Sequence, residues 1–154
     1  MAQIRFVHPA ETTYVRVSDM YDDSSEAGAA MRRKIPPEEL HGQQVGYYFP
    51  GSDDELQLFE VRCDPDVTFN SHAHDEDEIM YVLSGEIHLG RRSYPAGSAI
   101  YIPGRTLYSF RSGPDGLRFL NFRPRKDATY ITRDEMRQQQ RRQQRTAERE
   151  VRHA

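Results

Sequence analysis

A chain of 154 residues with a formal net charge of −3 and a pI of about 6.1 has room for one ordinary domain and no general excess of positive charge. This balance argues against nucleic acid as a partner, and no run approaches the roughly 18 apolar residues of a membrane span. The one cysteine, Cys63, excludes an intramolecular disulfide and a cysteine zinc cluster. Because the N-terminus also lacks the apolar core of a signal peptide, we expect a cytoplasmic protein without a membrane partner.

The first region, residues 1–50, is mixed in character and is expected to pack on the rest as an N-terminal extension. Alternation over 14–17 predicts a short strand, and the Asp-, Ser-, Ala- and Gly-rich residues 18–30 predict a loop with no more than one helical turn. Prolines at the start and a glycine at the end favour a short helix over 36–42. A further strand is predicted over 44–49.

The second region, residues 51–124, carries short β-rich runs separated by regular turn signals. We predict strands over 56–63, 67–74, 79–83, 86–89, 99–102, 107–111 and 117–123. Turn sequences such as Asp-Pro-Asp, Ser-Gly and Pro-Gly lie between them. Many short strands at this spacing, with no helical period among them, predict an all-β sandwich or barrel.

The third region, residues 125–154, differs in composition. The sequence Thr-Arg-Asp-Glu at 132–135 is a capping-box pattern and predicts the start of a helix. The residues after it are rich in arginine and glutamine, so the helix or tail has almost nothing to bury and is solvated, frayed or docked by a neighbouring subunit. Glutamates interleave with the arginines and no aromatic residue accompanies them, which again argues against nucleic-acid binding.

One segment carries the residues for metal chemistry. Residues two apart in a strand point to the same face, so His72 and His74 project together. Three acidic residues follow, and Glu78 then begins the next strand and can turn toward the same point. Two imidazoles and one carboxylate from adjacent strands make a facial ligand set, which leaves the other side of a metal ion open.

The spacing of these residues resembles that of the cupin superfamily. The first cupin motif, HxH, three residues, Glu, six residues, Gly, is matched by His72, His74, Glu78 and Gly85. The second motif begins with Gly, five residues, Pro, and is matched by Gly97 and Pro103. The resemblance covers roughly residues 55–124. It implies a double-stranded β-helix, or jelly-roll barrel, that holds one divalent metal ion through the two histidines and the glutamate.

The chain departs from the cupin pattern at one ligand position. Cupins usually place a fourth ligand, a histidine, five residues after the proline of the second motif, where this chain has Tyr108. Two interpretations stay open. Tyr108 is a fourth ligand as a phenolate, or it lies beside a site of three ligands and hydrogen-bonds a bound water or the substrate. The second arrangement has the ligand set of non-haem iron oxygenases.

Four residues are candidates for substrate binding: Arg105, Met80, Phe110 and Asn121. Alternation places Met80 on the inner face with Glu78, and Phe110 on the same face as Tyr108, although barrel core is the simpler interpretation of Phe110. Arg105 lies next to the second motif, near the expected mouth, where a guanidinium can hold a carboxylate or phosphate. Asn121 and Arg123 share one face of the last strand, and a substrate role for Asn121 requires that face to be the inner one.

The resemblance implies a metal-dependent cupin enzyme that acts on a small organic molecule. The leading hypothesis is a non-haem iron dioxygenase, an oxidoreductase in which the two histidines and Glu78 hold Fe(II) and Tyr108 orients or protonates an intermediate. The alternative is a non-redox isomerase, cyclase or lyase in which Zn²⁺, Ni²⁺ or Mn²⁺ polarises a carbonyl and Tyr108 is the acid or base. A non-catalytic small-molecule-binding cupin is a third hypothesis. Cupins of one domain are commonly dimers, so a homodimer is expected.

Overall fold

One antiparallel sheet, described over residues 3–153 by the computed structural model, forms the body of the fold. Its strands are β1 Tyr14–Arg16, β2 Gln43–Phe49, β3 Gln57–Cys63, β4 Thr68–Ala73, β5 Glu78–Leu89, β6 Arg92–Pro95, β7 Ala99–Ile102, β8 Tyr108–Arg123 and β9 Ile131–Thr132. The helices are α1 Val17–Met20, α2 Glu26–Lys34, α3 Pro37–His41 and α4 Arg133–His153, and a 3-10 turn covers Pro9–Glu11.

The strand order is that of a rolled sheet. Neighbours pair in the order β1-β2-β3-β8-β4-β9, while β5 pairs with β6, β7 and β8. Strand β8 is central because different parts of its 16 residues pair with β3, β4 and β5. The hydrogen-bonded path does not close into a ring within residues 3–153, but its two layers enclose one interior. This arrangement confirms the predicted all-β, jelly-roll fold.

Two long strands replace two pairs of predicted short strands. β5 runs through Ser84 and Gly85 where the sequence predicted a turn, and β8 runs through residues 112–116 in the same way. The register between β5 and β8 shifts at 82/84 and 85/87, so each strand bends at a bulge and continues. Gly85 and Gly116 have φ angles of 69° and 82°. The glycines therefore mark bends inside strands, and the predicted strand ends were wrong.

The N-terminal extension contains more helix than predicted. Residues 18–30 were expected to form a loop, but α1 and most of α2 fall within them. Ser25 caps α2 by accepting a hydrogen bond from the backbone N–H of Gly28. Val17, Ile35 and Leu40 from these helices join the same buried cluster as the strand residues. The extension thus covers one side of the interior with apolar side chains.

Helix α4 begins where the capping box predicted. The hydroxyl of Thr132 accepts the backbone N–H of Glu135, and the Glu135 carboxylate accepts the backbone N–H of Thr132. Met136 is buried against Ala73 and Ile131, whereas residues 140–152 are exposed. No helix in the described part of the chain is long and apolar enough to cross a membrane.

Candidate functional site

A cavity of about 150 Å³ lies inside the rolled sheet. Strands β4, β5 and β8 give it these side chains: His72, His74, Met80, Tyr108, Phe110, Asn121 and Arg123. The helices and the segment before β9 add Tyr21, Met31, Glu39 and Tyr130. A cavity of this volume accommodates a ligand about the size of a benzene ring. The site is therefore suited to a small molecule or to one end of a larger one.

Backbone carbonyls fix both histidines in one tautomer. Nδ1 of His72 lies 2.7 Å from the carbonyl oxygen of Asn70, and Nδ1 of His74 bonds the carbonyl oxygen of Thr129. Because a carbonyl only accepts, each Nδ1 carries the proton and each Nε2 keeps a lone pair. Burial lowers the pKa of both imidazoles, that of His74 to about 4. Both rings are therefore neutral at pH 7, the form that binds metal ions.

Glu78 is an ionised carboxylate in a buried position. Its side chain begins β5 at 2% exposure, and its Oε2 accepts hydrogen bonds from Asn121 Nδ2 at 2.8 Å and Arg123 Nη2 at 3.1 Å. Burial alone would raise the pKa of Glu78. The electrostatic interactions with His74 and with the guanidinium of Arg123, together with the hydrogen bonds from Tyr108 and Asn121, outweigh it and hold the pKa below its ordinary value.

Arg123 supplies the positive charge that the buried carboxylate requires. Its Nη1 donates to the carbonyl oxygen of Asp127 at 2.8 Å, and its guanidinium lies 5.2 Å from the ring centroid of Phe59. The sequence indicated only that Arg123 shares a face with Asn121. The register that pairs Asn121 with Met80 on β5 makes this the inner face and brings Arg123 to Glu78.

Three buried polar atoms of this cluster lack a hydrogen-bond partner within the described chain: Glu78 Oε1, Asn121 Oδ1 and Arg123 Nε. Asn121 and Arg123 line the cavity, whereas Glu78 lies behind them and is not among its lining residues. Each such atom costs about 1–3 kcal/mol if nothing satisfies it. The three residues are already bonded to one another, so the unpartnered atoms lie in one small region. This clustering is the mark of a binding site rather than of a packed core.

The donor chemistry here fits a divalent metal ion. Two neutral imidazoles with free Nε2 lone pairs and a carboxylate oxygen without a partner have the required protonation states. Within residues 3–153, however, no group of three His, Cys, Asp or Glu is gathered at ligating distances. The ring centroids of His72 and His74 are 5.1 Å apart, and Arg123 holds one oxygen of Glu78. The predicted metal and its identity stay predictions.

Tyr108 is a neutral phenol in this arrangement. Its ring centroid lies 4.8 Å from that of His72, and its hydroxyl is hydrogen-bonded to Glu78. Burial and the negative charge of Glu78 raise the pKa of Tyr108 well above 10. A neutral phenol beside the site agrees better with this pKa than a phenolate ligand does. The role of Tyr108 as a fourth metal ligand stays an untested prediction.

The candidate substrate residues divide into two groups. Met80, Phe110 and Asn121 line the cavity, and their role in substrate binding stays a prediction. Arg105 is not among the residues that line it; its guanidinium bonds Asp75 at 2.7 Å and Gln139 on α4. Its backbone lies in the left-handed region, with φ of 60°. The structure therefore gives the predicted substrate role of Arg105 no support.

Sequence reasoning missed Glu39 and Tyr130, which lie outside the strand motifs. Both line the cavity and are buried, with exposures of 1% and 9%. Glu39 lies on the short helix α3, whose sequence gave no signal that one of its two glutamates is buried. Tyr130 had none either, because its position depends on how residues 124–131 return across the barrel.

Neither a family model nor a curated protein matches the chain. Solved structures of similar fold do. The polyketide cyclase RemF from Streptomyces resistomycificus is 21% identical over 90% of this chain and 94% of that one, with a TM-score of 0.59. An RmlC-like cupin from Ralstonia eutropha is 14% identical over 86% and 74%, with a TM-score of 0.59. An RmlC-like cupin from Shewanella frigidimarina is 16% identical over 86% and 96%, with a TM-score of 0.53.

These likenesses confirm the resemblance that the two sequence motifs indicated. The chain has the cupin fold. At identities of 14–21% they establish the fold and nothing about the reaction.

Proposed function

We propose that this cupin is an enzyme that moves protons on a small oxygen-bearing organic molecule in a non-redox reaction such as an isomerisation, cyclisation or elimination. The observation that carries the proposal is the set of proton-carrying groups around one small cavity. Tyr108, Tyr130 and Glu39 line the same cavity as the two neutral imidazoles. Such groups are the usual acids and bases of enzymes.

A divalent ion held by His72, His74 and Glu78 would supply Lewis acidity toward a substrate carbonyl. The chain's own residues do the rest. Tyr108 lies next to the histidines, and its hydroxyl donates to Glu78 and holds that carboxylate in place. Asn121 Oδ1 offers an acceptor to a substrate hydroxyl.

Aromatic side chains give the remainder of the cavity an apolar lining. The rings of Phe69 and Phe110 stack with centroids 4.2 Å apart, and Phe119 contacts Phe110 edge-on at 6.1 Å. Excluding water strengthens every electrostatic contact at the polar end and protects a reactive enolate from the solvent. The lining also selects a substrate with an apolar body and an oxygen at one end.

The polyketide cyclase that shares this fold is one protein in which it accompanies a cyclisation. No observation singles out the predicted iron oxygenase, which stays a prediction. A deuterium-exchange assay separates the two functions. Cyclohexanone is incubated in D₂O with the protein and Zn²⁺, Ni²⁺, Mn²⁺ or Fe²⁺ in turn. Incorporation of deuterium next to the carbonyl is followed by NMR and oxygen uptake by an electrode.

The proposal predicts exchange well above the buffer rate with at least one of these ions, with little in the His72→Ala/His74→Ala variant and no oxygen uptake. Oxygen uptake that requires Fe²⁺, without exchange, would contradict it and support the oxygenase. No exchange and no uptake with any of the four ions would also count against it and favour a binding protein.

A further inference from the structure

Glu39 is a buried carboxyl of the cavity that lies outside the predicted set of metal ligands. It lies on α3, in the N-terminal extension, at 1% exposure, and it lines the cavity. Its Oε2 accepts the hydroxyl of Tyr130 at 3.0 Å, and its Oε1 accepts the backbone N–H of Asn70. Because both Glu39 and Tyr130 line the cavity, the hydrogen bond between them lies at its wall.

The electrostatic surroundings of Glu39 differ from those of the other fully buried carboxylates. Glu60 is equally buried at 1%, yet it pairs with Arg62 and Arg118 at 2.9 and 2.7 Å. Among the described residues, no arginine or lysine is a hydrogen-bond partner of Glu39. Burial therefore raises the pKa of Glu39 to about 7, with the hydrogen bonds from Asn70 and Tyr130 opposing the rise only in part.

Other titratable and charged groups near the pair come from four elements. Glu38 precedes Glu39 on α3 and adds a like charge. The ring of His72 on β4 stacks on Tyr130 with centroids 4.5 Å apart. Lys34 at the end of α2 lies 3.4 Å from the carbonyl of Tyr130 and 2.7 Å from Glu135 on α4, so its charge is engaged there.

The two hydrogen bonds decide where a proton on Glu39 must sit. Oε1 already accepts an N–H, so a protonated Glu39 carries its proton on Oε2 and donates it to the oxygen of Tyr130. The hydroxyl hydrogen of Tyr130 is then free to point into the cavity. When Glu39 is ionised the direction reverses: Tyr130 donates to Oε2 and offers only lone pairs to a ligand.

We propose that Glu39 and Tyr130 form a proton relay that switches the Tyr130 hydroxyl between donor and acceptor toward a ligand oxygen. The relay suits a substrate whose oxygen alternates between enolate and enol. One proton passes from Glu39 Oε2 to the oxygen of Tyr130 while the original Tyr130 proton passes to the enolate oxygen. Glu39 ends as a carboxylate, Tyr130 is unchanged and the substrate gains one proton. This inference rests on the proposed function for its substrate class.

The first test does not depend on any activity. The protein is labelled with ¹³C at the glutamate carboxyls and titrated by NMR between pH 5 and 9. The relay predicts one carboxyl that titrates near neutral pH, that disappears in Glu39→Gln and that moves to a higher midpoint in Tyr130→Phe. Glu60→Gln is the matched control for a buried carboxyl and leaves that signal in place. A Glu39 signal that titrates at the ordinary value, or ignores Tyr130→Phe, would overturn the relay.

The second test measures the donor or acceptor state of Tyr130 through the binding of two ligands the size of one ring. Phenol donates a hydrogen bond, whereas cyclohexanone only accepts one. When the pH rises from 6 to 8, Tyr130 becomes an acceptor and phenol gains a hydrogen bond that cyclohexanone loses. The affinity for phenol relative to cyclohexanone should therefore increase about fivefold, the effect of about one hydrogen bond. The shift should vanish in Glu39→Gln and Tyr130→Phe. A ratio that stays constant in the wild type, or that shifts equally in both variants, would overturn the proposal and leave the deuterium-exchange result untouched.

Discussion

The guanidinium of Arg123 lies 3.1 Å from the carboxylate of Glu78, and the two side chains are 7% and 1% exposed. The residue that the cupin motif assigns to metal binding thus has a counterion from the protein itself. Arg123 keeps Glu78 ionised, and it holds only Oε2, so Oε1 is available to a second cation. An ion at the two histidines would share Glu78 with Arg123 rather than replace it.

Loss of Arg123 should destabilise the fold strongly. Arg123→Met leaves the charge of Glu78 buried without its partner, so we expect a loss of about 3–5 kcal/mol in the free energy of unfolding, measured with urea. The control is Arg125→Met, which breaks an exposed pair with Glu76 and should cost at most about 1 kcal/mol. Adding Glu78→Gln to Arg123→Met should recover part of the loss. Equal effects of the two single arginine variants would refute a buried ion pair.

Two glycines of the cupin motifs provide a matched pair of substitutions. Both have positive φ angles, 69° at Gly85 and 88° at Gly97. A Cβ at Gly85 would lie 2.1 Å from the carbonyl oxygen of Gly116, whereas a Cβ at Gly97 meets nothing within 4 Å. Gly97→Ala should therefore cost about 1–2 kcal/mol, the backbone penalty alone. Gly85→Ala should cost at least twice as much, read as a larger fall in Tm. Similar losses at both positions would contradict the close approach at Gly85.

The sequence predicted those parts of the molecule that are local in the chain. His72 and His74 lie two residues apart at the end of β4, so alternation alone predicted that they share a face, and both line the cavity. The capping box at 132–135 was equally local. At Gly85 and Gly116 the sequence wrongly predicted turns that end strands, because a positive φ angle occurs in a strand bulge as well as in a turn and composition does not distinguish the two.

The rest of the site depends on contacts between distant residues. Arg123 and Glu78 are 45 residues apart and meet only because β5 and β8 pair in one register. Glu39 and Tyr130 are 91 residues apart and meet where the N-terminal extension crosses the barrel. Arg105 shows the reverse case, since its position beside a motif predicted a role at the cavity, while its side chain bonds Asp75 and α4.

The stability of the protein should depend on pH through Glu39. Its pKa is raised from 4.5 to about 7, so the unfolded chain ionises first as the pH rises through that interval. The native state should therefore lose on the order of 3 kcal/mol between pH 4.5 and 8 through this group. The difference in unfolding free energy between wild type and Glu39→Gln isolates this contribution from the histidines, which both proteins share. A difference that stays flat across the interval would rule out the raised pKa.

Glu60 should stabilise the native state at neutral pH and lose this effect in acid. Burial opposes its ionisation, but hydrogen bonds from Arg118, Tyr14 and Arg62 outweigh it and lower its pKa to about 2. Its stabilising effect is present above pH 4.5 and is lost as the pH falls toward 2. Glu60→Gln should cost about 2 kcal/mol at pH 7 and progressively less in acid, as followed by chemical denaturation. An undiminished cost at pH 3 would show that its ionisation does not matter.

We propose that His72, His74 and Glu78 hold one divalent ion, and metal analysis is the decisive measurement. The protein is purified without chelators, reconstituted separately with Fe²⁺, Zn²⁺, Ni²⁺ and Mn²⁺, and analysed for metal beside His72→Ala/His74→Ala. Circular dichroism and the melting temperature confirm that the variant is folded. We predict about one tightly held ion per chain in the wild type, and none in the folded variant. Equal metal content in the two proteins, or no metal in either, would contradict the claim.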